Sequence, residues 1–104
     1  MNWNKELFEK NIAGEKPALV EFWAPWCVYC RRIAPVMERI AQQYADSLAV
    51  GFVNIDEEPA VAQREQIEVI PTLVLYKNGQ ALGSVVAPQS KADVEEFIKK
   101  TLEA

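Results

Sequence analysis

Two cysteines, Cys27 and Cys30, are the residues of this chain whose type and spacing indicate chemistry, and no histidine accompanies them. Residues three apart on a helix share a face, so these thiols are close enough to form a disulfide without rebuilding the backbone. The absence of histidine excludes a Cys–His nucleophile and a histidine general base. A proton that must move has to be carried by a carboxylate, a lysine, a tyrosine or water.

The cysteines lie where a strand is followed by a helix. An apolar run over residues 18–24 predicts a strand that is buried on both faces, and Pro25 ends it. A helical pattern then covers residues 27–44. Because the first turn of a helix has unpaired N–H groups and the positive end of the dipole, it stabilises a thiolate. We therefore expect Cys27 to be an exposed attacking thiol and Cys30 to be a buried resolving thiol.

The rest of the chain must build the frame that holds this pair. Its patterns predict, in order, a helix over 4–12, the strand and helix described above, a strand over 48–55, a helix from Pro59 to about residue 67, strands over 72–76 and 81–87, and a helix after Ser90. The strand–helix–strand part predicts parallel pairing with a right-handed crossover. Asn78-Gly79 predicts an antiparallel hairpin. The fold class is therefore α/β, a mixed sheet with helices on both faces, in one domain over residues 1–104.

Composition excludes several classes of function. A net charge of −4 gives no basic stripe for nucleic acid. No apolar run approaches the ~20 residues that span a membrane, and the N-terminus lacks the pattern of a signal peptide. A closed structural zinc site usually needs about four Cys or His ligands, and the chain has two. We expect a cytoplasmic monomer with no metal, no nucleic acid and no membrane among its partners.

A tryptophan precedes the cysteines in the motif Trp26-Cys-Val-Tyr-Cys30. Around this motif stand, in order, the segments Val20-Glu-Phe-Trp-Ala-Pro-Trp-Cys27, Ala34-Pro35, Val53-Asn-Ile-Asp56, Ile70-Pro-Thr-Leu73 and Tyr76-Lys-Asn-Gly79. In these segments and their order the chain resembles thioredoxins and the thioredoxin-like domains of protein disulfide isomerases. The resemblance implies the thioredoxin fold. The family's N-terminal edge strand is expected to be missing or vestigial, because only residues 1–3 precede the first predicted helix.

The resemblance implies a protein-disulfide oxidoreductase without a metal or an organic cofactor. Cys27 would attack a substrate disulfide and form a mixed disulfide, and Cys30 would resolve it, leaving a redox-active Cys27–Cys30 disulfide. The substrates would be protein disulfides. By the same analogy, the electron donor would be an enzyme like the flavin-dependent thioredoxin reductases.

Six residues are implied as substrate-binding by the same resemblance. The Ile70–Pro71 bond matches the family's cis peptide that faces the cysteines, and the backbone just before this proline holds an extended substrate segment. Ala87 matches a position where the family often has glycine beside the substrate groove. The remaining three are next to or between the cysteines, namely Trp26, Val28 and Tyr29.

The chain departs from the family pattern inside its site. Val28 and Tyr29 stand where thioredoxins typically have Gly-Pro and disulfide isomerases Gly-His. The family's buried acid is Glu21 here, and the lysine that commonly faces it from the next strand is replaced by Phe52. A buried carboxylate without that lysine should stay protonated to higher pH. Our hypothesis is that Glu21 relays the proton of Cys30 when that thiol attacks the mixed disulfide.

Several interpretations remain open beside the reduction of protein disulfides. The Val28-Tyr29 dipeptide and Glu21 favour an isomerase or an oxidase of the same fold. A peptide-binding thioredoxin-fold module without catalysis is a further alternative. Two less favoured interpretations are an inert structural cysteine pair and half of a metal site that bridges two copies of the chain.

Overall fold

Four strands and four helices form in the computed structural model, which describes residues 1–104. In chain order they are α1 (Lys5–Ile12), β1 (Ala18–Trp23), α2 (Val28–Gln43), β2 (Ala49–Asn54), α3 (Pro59–Arg64), β3 (Thr72–Lys77), β4 (Gln80–Val86) and α4 (Lys91–Glu103). This order confirms the predicted one, and the bounds move by no more than a few residues. None of the helices combines the length and the apolar character that crossing a membrane requires.

The sheet has the strand order β2-β1-β3-β4. β1 and β2 run parallel, and Trp23 pairs with Asn54 at their carboxyl ends. β3 is antiparallel to both of its neighbours, so Thr72 at its start pairs with Phe22 on one side and Val86 on the other. The ends of β1, β2 and β4 and the start of β3 therefore meet at one edge of the sheet. The predicted parallel unit and hairpin are both confirmed.

The N-terminal edge strand is reduced to a single bridge. Asn2 pairs in parallel with Phe52 on β2, through bonds from Trp3 N–H to Phe52 O at 2.7 Å and from Phe52 N–H to Met1 O at 2.9 Å. Trp3 is buried, and its ring lies over Gly51, where a Cβ would be only 2.2 Å from the indole. The prediction of a vestigial strand is confirmed.

Two apolar clusters fill the space on either side of the sheet. One joins Phe8 of α1 and Val61 of α3 to the β1 side chains of Val20 and Phe22. The other joins α2 and α4 to the remaining β1 positions, such as Leu19. Because side chains alternate along a strand, Glu21 lies on the same face as Leu19, under α2. Helices cover both faces, as predicted.

Candidate active site

Cys27 and Cys30 form a disulfide, with their Cα atoms 5.3 Å apart. Cys27 is the N-cap of α2, and its sulfur accepts a hydrogen bond from the backbone N–H of Cys30 at 3.2 Å. Cys30 is 1% exposed and Cys27 only 9%. The prediction of an exposed Cys27 is therefore wrong for this disulfide form, because its sulfur turns toward the start of the helix. Cys27 is still the more accessible of the two.

A tight turn brings the chain from β1 to this helix start. The N–H of Cys27 donates to the carbonyl of Ala24 at 3.1 Å, and Pro25 and Trp26 occupy the turn between them. Pro25 has no N–H to lose in such a turn and cannot continue the strand. The sequence thus places the disulfide at the sheet edge where the four strand ends meet.

Trp26 is 66% exposed beside the disulfide. Its indole Nε1–H donates to Asp56 Oδ2 at 3.0 Å, and the N–H of Asp56 in turn donates to Asn54 Oδ1 at 2.9 Å. The indole is held by the end of β2 while its ring stays open to solvent. Sequence reasoning missed Asp56 as a site residue, although its position at the end of a predicted strand was a usable signal.

The two residues between the cysteines have different surroundings. Val28 is exposed, so its side chain is free to contact another molecule. Tyr29 is half-buried, and its hydroxyl donates to the carbonyl of Pro88 at 3.0 Å. The hydroxyl is therefore bound within the protein.

The Ile70–Pro71 peptide is cis, as the resemblance implies. Pro71 is buried and Ile70 half-buried. Since Thr72 pairs with Phe22 of β1, this loop reaches the same sheet edge as the disulfide. The carbonyl of Pro71 accepts the N–H of Ala87 at 2.9 Å, so the loop is joined to the end of β4.

Glu21 is completely buried, and neither of its carboxyl oxygens has a hydrogen-bond partner. Its neighbours on the adjoining strands are Phe52 and Leu73. Burial raises the pKa of Glu21 from 4.5 to about 8, because the low-polarity surroundings disfavour the charged form. The expected burial and the expected direction of the pKa shift are both confirmed.

A cavity of about 210 Å³ connects Glu21 to the disulfide, since Glu21 and Cys30 both line it. Asn2 and Trp23 line it as well, and the Trp23 indole N–H donates to Asn2 Oδ1 at 3.0 Å. Phe52, the residue at the position where the resemblance implies a lysine, lines it too. Sequence reasoning missed Asn2 as a site residue, because no local pattern connects it to Trp23, 21 residues away.

The arrangement supplies the two sulfurs that thiol–disulfide exchange requires and a titratable carboxyl beside one of them. A sulfur at a helix N-terminus is stabilised as a thiolate, a second sulfur lies one turn away, and a carboxyl with a pKa near neutrality shares a cavity with that second sulfur. No group of three or more His, Cys, Asp or Glu side chains lies together in a way that could hold a metal ion.

Comparison with known proteins gives the family. The family model described as Thioredoxin matches residues 1–100. Thioredoxin 1 of Synechococcus elongatus is 44% identical over 100 residues, which cover 96% of this chain and 90% of that protein. Thioredoxin 1 of a Nostoc species is 46% identical over 91 residues, 88% and 85% of the two chains. Thioredoxin of Alicyclobacillus acidocaldarius is 40% identical over 96 residues, 92% and 91%. The chain belongs to the thioredoxin family and is a protein-disulfide oxidoreductase.

Proposed function

We propose that this chain acts as a single thioredoxin-like domain over residues 1–104, a monomer that reduces protein disulfides in the cytoplasm. The observation that carries the proposal is the contrast between the two sulfurs. The sulfur of Cys27 caps α2 and accepts the backbone N–H of Cys30, and Cys27 is 9% exposed, whereas Cys30 is 1% exposed. The cytoplasm fits a reductant because its thiol pool keeps cysteines reduced.

In the proposed reaction the Cys27 thiolate attacks one sulfur of a substrate disulfide. The new bond forms a mixed disulfide, and the other substrate sulfur leaves as a thiolate that takes up a proton. Cys30 then loses its proton and attacks the sulfur of Cys27, which releases the second substrate thiolate. The substrate has gained two electrons, and the chain holds the Cys27–Cys30 disulfide. A reductase similar to thioredoxin reductase would return two electrons and two protons.

Glu21 is the proposed acceptor of the Cys30 proton. It lines the same cavity as Cys30 and has no other partner. With a pKa of about 8 it is a stronger base than an ordinary carboxylate, and a fraction of it is ionised at neutral pH. The reverse transfer would protonate Cys30 when the chain itself is reduced.

The proposed substrate site surrounds the disulfide at the sheet edge. An extended segment would pair with the backbone at Ile70, before the buried ring of Pro71. The exposed side chains of Trp26 and Val28 would contact the segment on the disulfide side, and Ala87 on the other. The hydroxyl of Tyr29 would support the groove from inside the protein, through its hydrogen bond to the carbonyl of Pro88, the residue after Ala87.

The first experiment is the reduction potential of the Cys27–Cys30 couple, measured by thiol trapping in graded thiol–disulfide buffers. A value of about −270 mV supports a reductant, and a value of about −180 mV supports an isomerase or oxidase. The Val28-Tyr29 dipeptide and Glu21 are the observations that favour this second candidate. A couple with no reversible two-electron transition contradicts both.

Trapping separates the roles of the two cysteines. The Cys30→Ser variant should accumulate a mixed disulfide with a protein substrate, because nothing resolves it. The Cys27→Ser variant should form none, since the remaining sulfur is buried. Equal trapping by the two variants would contradict the assigned roles, and full activity in Cys27→Ser would support a binding module.

A further inference from the structure

One hydrogen bond links the segment between the cysteines to the loop after β4. The hydroxyl of Tyr29, in the first turn of α2, donates to the carbonyl of Pro88 at 3.0 Å, 59 residues further along the chain. Pro88 is buried and Tyr29 is half-buried. Water has little access to Pro88, so the Tyr29 hydroxyl serves as the hydrogen-bond partner of its carbonyl. Removal of the hydroxyl would leave the carbonyl of a buried residue unpaired.

The residue before Pro88 has an unusual backbone conformation. Ala87 has φ of +46°, in the left-handed region that a Cβ makes sterically unfavourable. Its N–H donates to the carbonyl of Pro71 at 2.9 Å. Such a conformation persists only when the surrounding contacts determine it. The Ala87–Pro88 turn is held on one side by Pro71 and on the other by Tyr29.

These two bonds connect the three segments that surround the proposed substrate site. We infer that Tyr29 is a positioning residue: its hydroxyl holds the Ala87–Pro88 turn against the start of α2 and so fixes the substrate groove beside the disulfide. The inference rests on the proposed function, in which a polypeptide lies across Ile70 and Ala87. Tyr29, one of the two residues between the cysteines, thus has a role in the shape of the groove that is separate from any effect on the thiols.

The inference concerns one class of substrate. A polypeptide disulfide must fit along the groove before its sulfur reaches Cys27, so a displaced turn weakens its binding. A small aromatic disulfide such as 5,5′-dithiobis(2-nitrobenzoate) presents its sulfur without occupying the length of the groove. Loss of the Tyr29 hydroxyl should therefore discriminate between the two substrates.

The test is Tyr29→Phe, which removes one oxygen. KM and kcat are measured for insulin reduction with dithiothreitol as the electron source, and the pre-reduced protein is mixed with the small disulfide in a single turnover. We expect KM for insulin to rise about 5- to 10-fold, in line with the loss of one hydrogen bond, with kcat nearly preserved. The decrease in kcat/KM for insulin should exceed the decrease in the single-turnover rate with the small disulfide by a similar factor.

Tyr44→Phe is the matched control. The Tyr44 hydroxyl also links α2 to a later segment, through a hydrogen bond to Glu95, but at the far end of the helix. Its loss should leave KM for insulin unchanged. The inference is overturned if Tyr29→Phe leaves KM unchanged, if both substrates lose rate equally, or if Tyr44→Phe raises KM as much.

A second variant tests whether Tyr29 acts through the turn. Glycine adopts a positive φ without the steric penalty of a Cβ, so Ala87→Gly should keep the turn in place with less help from the hydroxyl. In an Ala87→Gly background, the effect of Tyr29→Phe on KM should shrink to less than about twofold, a departure from additivity expected of coupled residues. Full additivity would overturn the inference.

The urea midpoint of Tyr29→Phe, measured beside the unmodified chain, checks that the variant is folded before its KM is compared. Failure of the proposed function has a different signature, since the unmodified chain itself would then not reduce insulin.

Discussion

Two glutamates on opposite faces of the sheet have opposite surroundings. Glu65, the C-cap of α3, accepts the hydroxyl of Tyr76 at 2.7 Å and the Nε–H of Arg64 at 3.1 Å on the side of the sheet that α1 and α3 cover. Arg64 also pairs with Glu9 at 2.8 Å. Under α2, the fully buried Glu21 has no partner at all. One face holds a satisfied polar network, and the other holds a carboxyl that nothing stabilises.

The difference separates polar groups that stabilise the fold from one that destabilises it. A buried polar group without a hydrogen bond raises the free energy of the folded state, so native proteins usually satisfy such groups. Glu21 lies at the sheet edge that carries the disulfide, beside Cys30. The proton transfer proposed above for Glu21 would account for a destabilising carboxyl at this place, whereas the Glu65 network lies away from the disulfide.

The largest expected effect is on stability, in Glu21→Leu. The pKa of Glu21 is about 8 in the folded state against 4.5 as the ordinary value. Below pH 4.5 both states bind the proton, and between pH 4.5 and 8 only the folded state does, so wild-type stability falls through that window. Leucine removes this loss and should raise the free energy of unfolding by about 3 kcal/mol at pH 7.

Urea denaturation of the oxidised protein between pH 4 and pH 9 measures this effect. The gain of Glu21→Leu should be smallest near pH 4, where only the cost of burying the neutral, unpaired carboxyl is removed, and it should rise with pH and level off above pH 8. Glu57→Leu, which removes an exposed carboxyl, should show no such dependence. A gain of the same size at every pH would mean that packing, and not the proton, accounts for it.

The next effect is on the rate, in Glu21→Gln. Without a proton acceptor near Cys30, release of substrate from the mixed disulfide should slow by roughly 100-fold. The inflection near pH 8 in the wild-type profile, expected from the pKa of Glu21, should disappear. Rapid acid quenching across pH 6–9 follows this step. An unchanged rate and profile would remove Glu21 from the mechanism.

On the other face, Tyr76→Phe tests the satisfied network. Burial, and to a smaller extent the hydrogen bond to Glu65, raise the pKa of Tyr76. Its hydroxyl therefore remains a neutral donor. Losing that donor should lower the free energy of unfolding by about 1–2 kcal/mol and leave insulin reduction unchanged. A reduced turnover in this variant would mean that the contrast between the two faces is false.

The smallest effect is expected at the outer end of the same network. Arg64 and Glu9 are about half exposed, at 46% and 47% of their side chains, and water and salt screen such a pair. Glu9→Gln should leave the urea midpoint unchanged in both low and high salt. A clear loss in low salt that disappears in high salt would show that the network extends to the surface.

The fold followed from local patterns because its elements agree with them. The apolar run of β1, the period of α2 and the Asn78-Gly79 turn each determine an element and its neighbours. The burial of Glu21 was expected from the resemblance, and its place inside an apolar run agrees with that expectation. A polar residue inside a doubly buried strand has no solvent to face.

The contacts that complete the site were not predictable from local patterns. The Tyr29–Pro88, Trp26–Asp56 and Trp23–Asn2 bonds join residues 59, 30 and 21 positions apart. Each depends on how side chains meet across several loops, for which composition and periodicity give no signal. The low exposure of Cys27 likewise depends on the direction in which its sulfur turns within the disulfide.

The close contact between Trp3 and Gly51 has a consequence for the evolution of this chain. Any side chain at position 51 would start 2.2 Å from the indole of Trp3, so position 51 cannot grow while the tryptophan stays. Replacement of the tryptophan alone would empty a buried site against β2. In related sequences the two positions should therefore vary together: a large residue at one should coincide with a small one at the other. An alignment deep enough to detect covariation should show this pair among its strongest couplings.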